Sequence, residues 1–374
     1  MGGYVKISGM IDESMDREQM KQPAQPWEFR SKPAWQRLII MLGGVTVNII
    51  LAIVIYISML AILGEQYLPV SGARYGIAVD SLGYEMGLRN GDKILTIDHK
   101  QIDDFASIPK ILVLDEAHSV QIQRGDSLMD IVVPKGFISK LIQQKSPDFI
   151  TARFPFYVGD FGPGSAAKGA GVRKDDRIIG INDIPTPYYD QFRTTIRNYK
   201  NKEISLVLLR KSDTVRLAVK VPDAGVIGVQ AKSPISYLGY AEKHYTFLTA
   251  IPAGFVKTFE GAGNYIKSMK LLFSQEKAYE SVGGFITIGS IFPSTWDWTA
   301  FWSLTAFLSI ILAILNVLPI PALDGGHVMF LFYEIIFRRK PSDKFMEYAQ
   351  IVGMVILFGL LIFANGQDIL KLFR

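Results

Sequence analysis

"NVLPIPALDGGH", residues 316–327, decides how the rest of the chain is read. It follows an apolar run over residues 301–315 and sets two prolines, two glycines and a carboxylate where that run would otherwise continue. Pro319 and Pro321 remove backbone donors and end regular helix. Gly325 and Gly326 permit unusual dihedrals and close backbone approach. After them HVMFLFYEIIF resumes an apolar helical pattern. The expected geometry is a helix entering, a break that presents Asp324, and a second helix leaving. An ionisable side chain at membrane depth is a functional candidate by default. Irregular backbone at that depth survives only where it is buried in protein or lines a wet cavity. Asp324 so placed can bind a metal, take a proton or pair with a cation. The plainer alternative is an interfacial turn in which it caps the next helix from water.

The membrane setting rests on three stretches. A span needs roughly 20 mostly apolar residues. Residues 38–64 hold no charge, residues 299–337 include the motif, and residues 345–366 enclose IVGMVILFGLLIFA. The alternative for each is a buried globular helix. The whole chain agrees with a membrane protein: mean hydropathy is +0.22, and 49% of the 374 residues are hydrophobic while 20% are charged, below the roughly 25% usual for soluble domains. The 40 Lys and Arg against 35 Asp and Glu leave +5, with no long basic run, which argues against nucleic-acid binding. There is no cysteine, so disulfides, thiol catalysis and thiolate metal sites are excluded. The start, MGGYVKISG, is not a signal peptide, because no apolar core follows a basic end. Arg30, Lys32 and Arg37 precede the first span, and Arg338, Arg339, Lys340 and Lys344 follow the second. The positive-inside rule makes both flanks cytoplasmic and places residues 65–295 on the outer side.

The polar middle is a tandem repeat. SLGYEMGLRNGDKILTID, from Ser81, matches SAAKGAGVRKDDRIIGIN, from Ser165, at a constant offset. Each copy reads as a short helix, a glycine (Gly87, Gly171), a charged turn and a strand. In the first strand Ile94, Thr96 and Asp98 should share one face, with Leu95 and Ile97 on the other. Each copy ends in a hairpin, with a Gly-Asp turn in the first and a Ser-Asp turn in the second. The pattern resembles bacterial PDZ domains, which implies two inserted α+β domains at residues 66–146 and 150–232. PDZ domains accept a chain end or extended segment as an added strand. On that resemblance the receiving strands are Gly76, Ile77, Ala78 and Val79 in the first copy and Phe156, Tyr157 and Val158 in the second. A spacer with no ligand is the alternative. Residues 233–298 form an amphipathic linker, read either as a helix on the membrane surface or as one packed on the two repeats.

The motif itself is similar to the Asn-x-x-Pro-x-Pro-x-Leu-Asp-Gly-Gly-His signature of the site-2 proteases, intramembrane zinc metalloproteases. Residues 2–6 (GGYVK), 43–48 (GGVTVN) and 282–289 (VGGFITIG, with Phe285 in place of proline) resemble further family segments. Two PDZ-like domains between spans point to the regulator-of-sigma-E protease branch (RseP). The resemblance implies that Asp324 ligates Zn2+, and that Asn316, Pro319 and Pro321 contact an unwound substrate. Gly2 and Gly3 belong to a segment able to clamp that substrate as an added strand, and Asn48, Gly325 and Gly326 support the motif. A helix hides its carbonyls in its own hydrogen bonds, so unwinding is required. His327 has a family counterpart that is not a ligand; orienting the turn and plain packing both fit it.

The family zinc needs two histidines and a glutamate in a His-Glu-x-x-His helix. This chain has His99, His118, His244 and His327, and none fits that pattern. The family's helix lies upstream of GGYVK. The expectation is a chain lacking the first catalytic span, with residues 1–37 a cytoplasmic segment after it, rather than a diverged site. Alone it offers one zinc ligand and no general base. The reading is thus a three-span α-helical membrane protein with two inserted PDZ-like domains, in a bacterial inner membrane with those domains periplasmic. It implies a zinc metalloendopeptidase acting on a single-span membrane substrate such as an anti-sigma factor. The other reading is a membrane-anchored PDZ adaptor or pseudoprotease that recruits envelope proteins without catalysis.

Overall fold

A computed structural model describes residues 7–9, 23–144, 146 and 149–373. The chain divides into two compact units, one of Met1–Glu65 with His244–Arg374 and the other of Gln66–Lys243. In chain order the elements are α1 (Ala34–Leu63), β1 (Glu65–Tyr67), β2 (Ile77–Val79), α2 (Ser81–Met86), β3 (Lys93–Ile97), β4 (Lys100–Gln101), α3 (Ile108–Leu114), β5 (Ser119–Arg124), β6 (Ser127–Val132), α4 (Phe137–Gln144) and β7 (Ile150–Ala152). The second repeat follows with β8 (Phe156–Phe161), α5 (Ala166–Gly169), β9 (Arg177–Ile181), β10 (Ile184–Pro185), α6 (Tyr189–Ile196), β11 (Glu203–Arg210), β12 (Asp213–Lys220), β13 (Val229–Ala231) and β14 (Ala241–Lys243). The chain then returns to helix: α7 (Phe247–Ser274), α8 (Phe285–Ser290), α9 (Trp298–Val317), α10 (Asp324–Phe337) and α11 (Asp343–Leu372).

Three helices, α1, α9 and α11, are long and apolar enough to cross a membrane. The 30 residues of α1 reach about 45 Å, more than the roughly 30 Å hydrocarbon core. Pro33 fixes its start, and Gly64, at φ +68°, ends it. Asp297 opens α9 by accepting from Thr299 N and Ala300 N at 2.7 and 3.1 Å. Exposed Trp296, Trp298 and Trp302 ring that end, as aromatic side chains do at a membrane–water boundary. The 20 residues of α9 suffice for a span without continuing past Pro319. Residues 299–337 are accordingly two helices with a turn between them.

Ala52 and Ile55 of α1 pack with Ala306 and Ile310 of α9 in one buried cluster. Ser309 Oγ donates to the Asn48 carbonyl at 2.8 Å. The linker helix α7 belongs to this helical unit. Its buried positions Ala250, Gly254 and Thr258 recur every fourth residue, a small-residue stripe that lets helix backbones approach closely. A Cβ on Gly254 would stand 2.5 Å from Ile57 Cγ1 of α1. Lys257 Nζ pairs with Glu65 at 2.7 Å.

In the other unit the first repeat forms the sheet β4-β3-β5-β6 and the pair β2-β7, and the second forms β12-β11-β9-β8-β13 with β10 on β9. Each repeat has its own buried apolar core. The sequence offset returns as repeated chemistry. Asp92 accepts from Arg89 N at 2.7 Å and from the Arg124 fork at 2.8 and 2.8 Å, while Arg124 also reaches the Gly87 carbonyl. Asp176 accepts from Arg173 N at 2.8 Å and from Arg210 at 2.9 and 2.7 Å, while Arg210 reaches Gly171 O. Asp98 and Asn182 share positive φ, and their Oδ1 atoms receive Ser119 N and Ser205 N, each at 2.8 Å.

Two sequence expectations shift by one residue. Ile94 pairs with Ile122 and Thr96 with Gln121, so Leu95 is an extra residue, a β-bulge. The alternation therefore resets: Ile94 and Ile97 are both buried, and Leu95 is exposed. Ile179 takes the same role in the second repeat. The second hairpin turns at Lys211-Ser212 rather than Ser-Asp, because Asp213 pairs across to Arg210. Lys211 takes φ +56° to allow it.

Burial alone would raise the Asp176 pKa, but Arg210 and the Arg173 amide outweigh it and hold it below the ordinary value. A depressed folded pKa gives stability that is present above the unfolded value, about 4, and lost as pH falls through the folded one. Asp176→Asn is expected to flatten the acid dependence of β11 amide protection between about pH 5 and about pH 3, measured by hydrogen exchange. An unchanged slope removes Asp176 from the acid response.

Candidate active-site turn

Helix α9 stops because Pro319 and Pro321 cannot donate. The turn is held by its own backbone: Ile320 N donates to Leu318 O at 2.7 Å, Leu323 N to Ile320 O at 3.0 Å, and Gly326 N to Leu323 O at 3.0 Å. Ala322 sits at φ +94°, a conformation rare for a residue with a side chain. Asp324 is the first residue of α10, where a carboxylate meets the positive end of the helix dipole.

Three glycines fix this turn by what a Cβ would strike. On Gly325 it would collide with the Val317 and Leu318 carbonyls, on Gly326 it would lie 2.6 Å from Pro321 Cα, and on Gly353 of α11 it would collide with the Pro321 carbonyl. From the other side, α1 presents Gly43 and Gly44. A Cβ on Gly44 would lie 3.9 Å from Asp324 Oδ2, whereas one on Gly43 would meet only open space. Gly44, within residues 43–48, thus borders Asp324. Asn316 occupies the last turn of α9 and is half-buried, as is His327 on α10. An apolar groove of about 480 Å3 between α1, α7 and α9 runs to Leu318 and Pro319, with Val45, Phe259 and Ile314 among its walls.

Zinc in hydrolytic sites takes three protein ligands and a water. Among the described residues no three His, Cys, Asp or Glu side chains gather into a metal-holding group. Asp324 is one candidate donor, and the described residues do not by themselves fit a zinc ion. Gly2 and Gly3 lie outside the described residues.

The strands expected to receive a ligand have no open edge. Ile77 N donates to Asp92 O, Val79 N to Asn90 Oδ1, and β7 pairs along the other side of β2. Tyr157 and Val158 of β8 lie between β9 and β13. The physical reason is that the segment closing each repeat folds back onto the strand that opens it. On that side of each repeat the outermost strand is β7 or β13, short strands whose sequences carry no alternation long enough to mark them.

The model of Peptidase family M50 matches residues 1–360. A Campylobacter jejuni protein is 32% identical over 230 residues, covering 58% of this chain and 60% of its own length. A Xylella fastidiosa protein is 24% identical over 395 residues, with coverage of 99% and 85%. Both carry the name "Putative zinc metalloprotease". The Yersinia pestis protein named "Protease RseP" is 24% identical over 398 residues, with coverage of 97% and 84%.

Proposed function

The chain belongs to peptidase family M50, and on that footing we propose that it serves intramembrane proteolysis by a site-2-type zinc metalloprotease. The bond cut lies inside a single-span membrane protein, of which an anti-sigma factor is the type. The carrying observation is the turn that seats Asp324 at the head of α10 against Gly44. The apolar groove ending at Leu318 and Pro319 suits the substrate's span. Asn316, with amide donors and an acceptor, would hold its unwound backbone. Asp324 would be this chain's ligand to Zn2+, a Lewis acid that makes a nucleophile of bound water when complete. The duplicated sheets are read as PDZ-like domains that exclude bulky substrates. The basic flanks support a periplasmic side of a bacterial inner membrane for them.

A non-catalytic adaptor is the second reading, favoured by the lack of a metal-holding group among the described residues. The test joins a family helix bearing His-Glu-x-x-His to Met1 and measures zinc stoichiometry and cleavage of a model span. The chain alone should bind zinc weakly and cleave nothing. The joined form should cleave, and Asp324→Asn in it should cut turnover more than about 100-fold, beyond the loss of an outer-shell partner, with membrane insertion kept. Full turnover and zinc content in that variant would remove Asp324 from the site; a joined form without cleavage would favour the adaptor.

A further inference from the structure

We propose that residues 233–240 are a strap through which the second repeat controls the order of the first. The strap is anchored in the second repeat. There β13 pairs antiparallel with β8, with Ala231 opposite Val158, and Lys232 N donates to Tyr157 O at 2.8 Å. The chain then leaves that sheet and enters the core of the other repeat. Pro234 O accepts from Tyr237 N and Leu238 N at 3.1 and 2.8 Å, closing the turn before Leu238. Leu238 is 6% exposed and belongs to the buried cluster of the first repeat, with Tyr237 and Tyr240 packed against that cluster. The fit is close, because a Cβ on Gly72 of the first repeat would stand 2.6 Å from the Gly239 carbonyl oxygen.

A segment that leaves one repeat to finish the core of the other ties their stabilities together. Tyr237 sits at the crossing. Its Oη lies 3.3 Å from both the Pro155 and the Lys232 carbonyl oxygens. Its ring centre is 5.2 Å from that of Tyr157 and 6.3 Å from that of Phe154. Tyr157 is in β8 of the second repeat, whereas Phe154 packs on the first repeat's core. A shift of Lys232 therefore pulls on Leu238, and losing that leucine loosens the residues that share its cluster. Ile94 and Ile97 of β3 and Val120 and Ile122 of β5 are among them. A load on β13 would reach the first repeat by the same route. The strap needs neither catalysis nor a bound metal, so it stands apart from the proteolytic reading.

The test is hydrogen exchange of the full chain in neutral detergent, which reads local opening element by element, with β11 of the second repeat as internal reference. Gly159→Ala is the informative variant. Residue 159 lies in β8, yet a Cβ there would stand 2.8 Å from Lys232 Cα and 2.9 Å from Lys232 N, backbone that has to shift. Gly162→Ala is the control, since a Cβ on Gly162 meets nothing within 4 Å. Leu238→Ala removes the anchor itself. Gly159→Ala and Leu238→Ala should each speed exchange of β3 and β5 at least about tenfold, the scale of a core misfit or cavity. Exchange of β11 should stay as it was, and Gly162→Ala should change neither. The proposal is overturned if Gly159→Ala loosens only β8 and β13, or if Leu238→Ala leaves β3 and β5 as protected as before. Equal loosening of β11 also overturns it, because that is a general loss of stability and not a link between repeats. Leu238→Val, with its smaller cavity, keeps the test decisive if Leu238→Ala fails to fold.

Discussion

Gly353→Ala should unseat the Asp324 turn and lower the thermal midpoint of the purified protein more than any other added methyl in α11. A Cβ there collides with the Pro321 carbonyl. The obstacle is backbone on both sides, so no side chain can rotate away. Overpacking in a fitted core costs about 1–3 kcal/mol, occasionally more, and this case sits at or above the top of that range. Either α11 retreats from the turn or Pro321 moves, carrying with it an Ala322 already at φ +94°. Gly359 is the matched control, since it lies in the same helix and a Cβ on it meets nothing within 4 Å. Gly359→Ala should be neutral or slightly stabilising, within the roughly 1 kcal/mol that separates glycine from alanine in helices. Equal melting of the two variants would mean that α11 does not seat on the turn. In the joined form, Gly353→Ala should also lose cleavage, because Asp324 follows Pro321 within the same turn.

The break in residues 316–327 was legible because prolines and glycines act locally, through a missing donor and a missing Cβ. The three apolar helices and the presence of sheets were legible for the same reason: long uncharged runs and a repeated motif are properties of consecutive residues. What surrounds the turn was not. Gly353 stands 32 residues past Pro321 by the numbering, in a run that reads only as a span, and its need to be glycine exists only where α11 crosses a carbonyl. The bulges at Leu95 and Ile179 were hidden because a period of two assumes an unbroken ladder. The outer places of β7 and β13 were missed because three-residue strands give no pattern to count, and which side of a strand is free depends on what folds back onto it. The zinc chemistry came from resemblance alone. Physics at Asp324 left metal, proton and cation all open.

Arg37 marks the same limit at larger scale. The sequence assigns it to a cytoplasmic basic flank, yet its Nη2 lies 2.6 Å from Glu334 Oε1, with the two side chains only 9% and 15% exposed. Its Nε donates to Lys32 O at 2.9 Å, and the guanidinium lies 5.8 Å from the Phe29 ring centre. The pair ties the start of α1 to the far end of α10, the helix whose first residue is Asp324. Removing one partner of a buried pair typically costs about 3–5 kcal/mol, because the other charge stays behind uncompensated. Glu334→Ala and Arg37→Ala should each destabilise toward the lower end of that range, since water still reaches part of Glu334. The double change Arg37→Met with Glu334→Leu should recover most of the loss, as replacement of a buried pair by apolar groups often does. A thermal-midpoint double-mutant cycle of Arg37→Ala, Glu334→Ala and the two combined measures the coupling. If the single changes prove additive, the pair holds nothing and Arg37 returns to its role as a topological charge. If they are strongly coupled, the orientation of α10, and so the seat of Asp324, depends on a contact between residues 297 positions apart. In that case Glu334→Ala in the joined form should slow cleavage while the Arg37→Met, Glu334→Leu pair restores it, a rescue that simple loss of surface charge would not give.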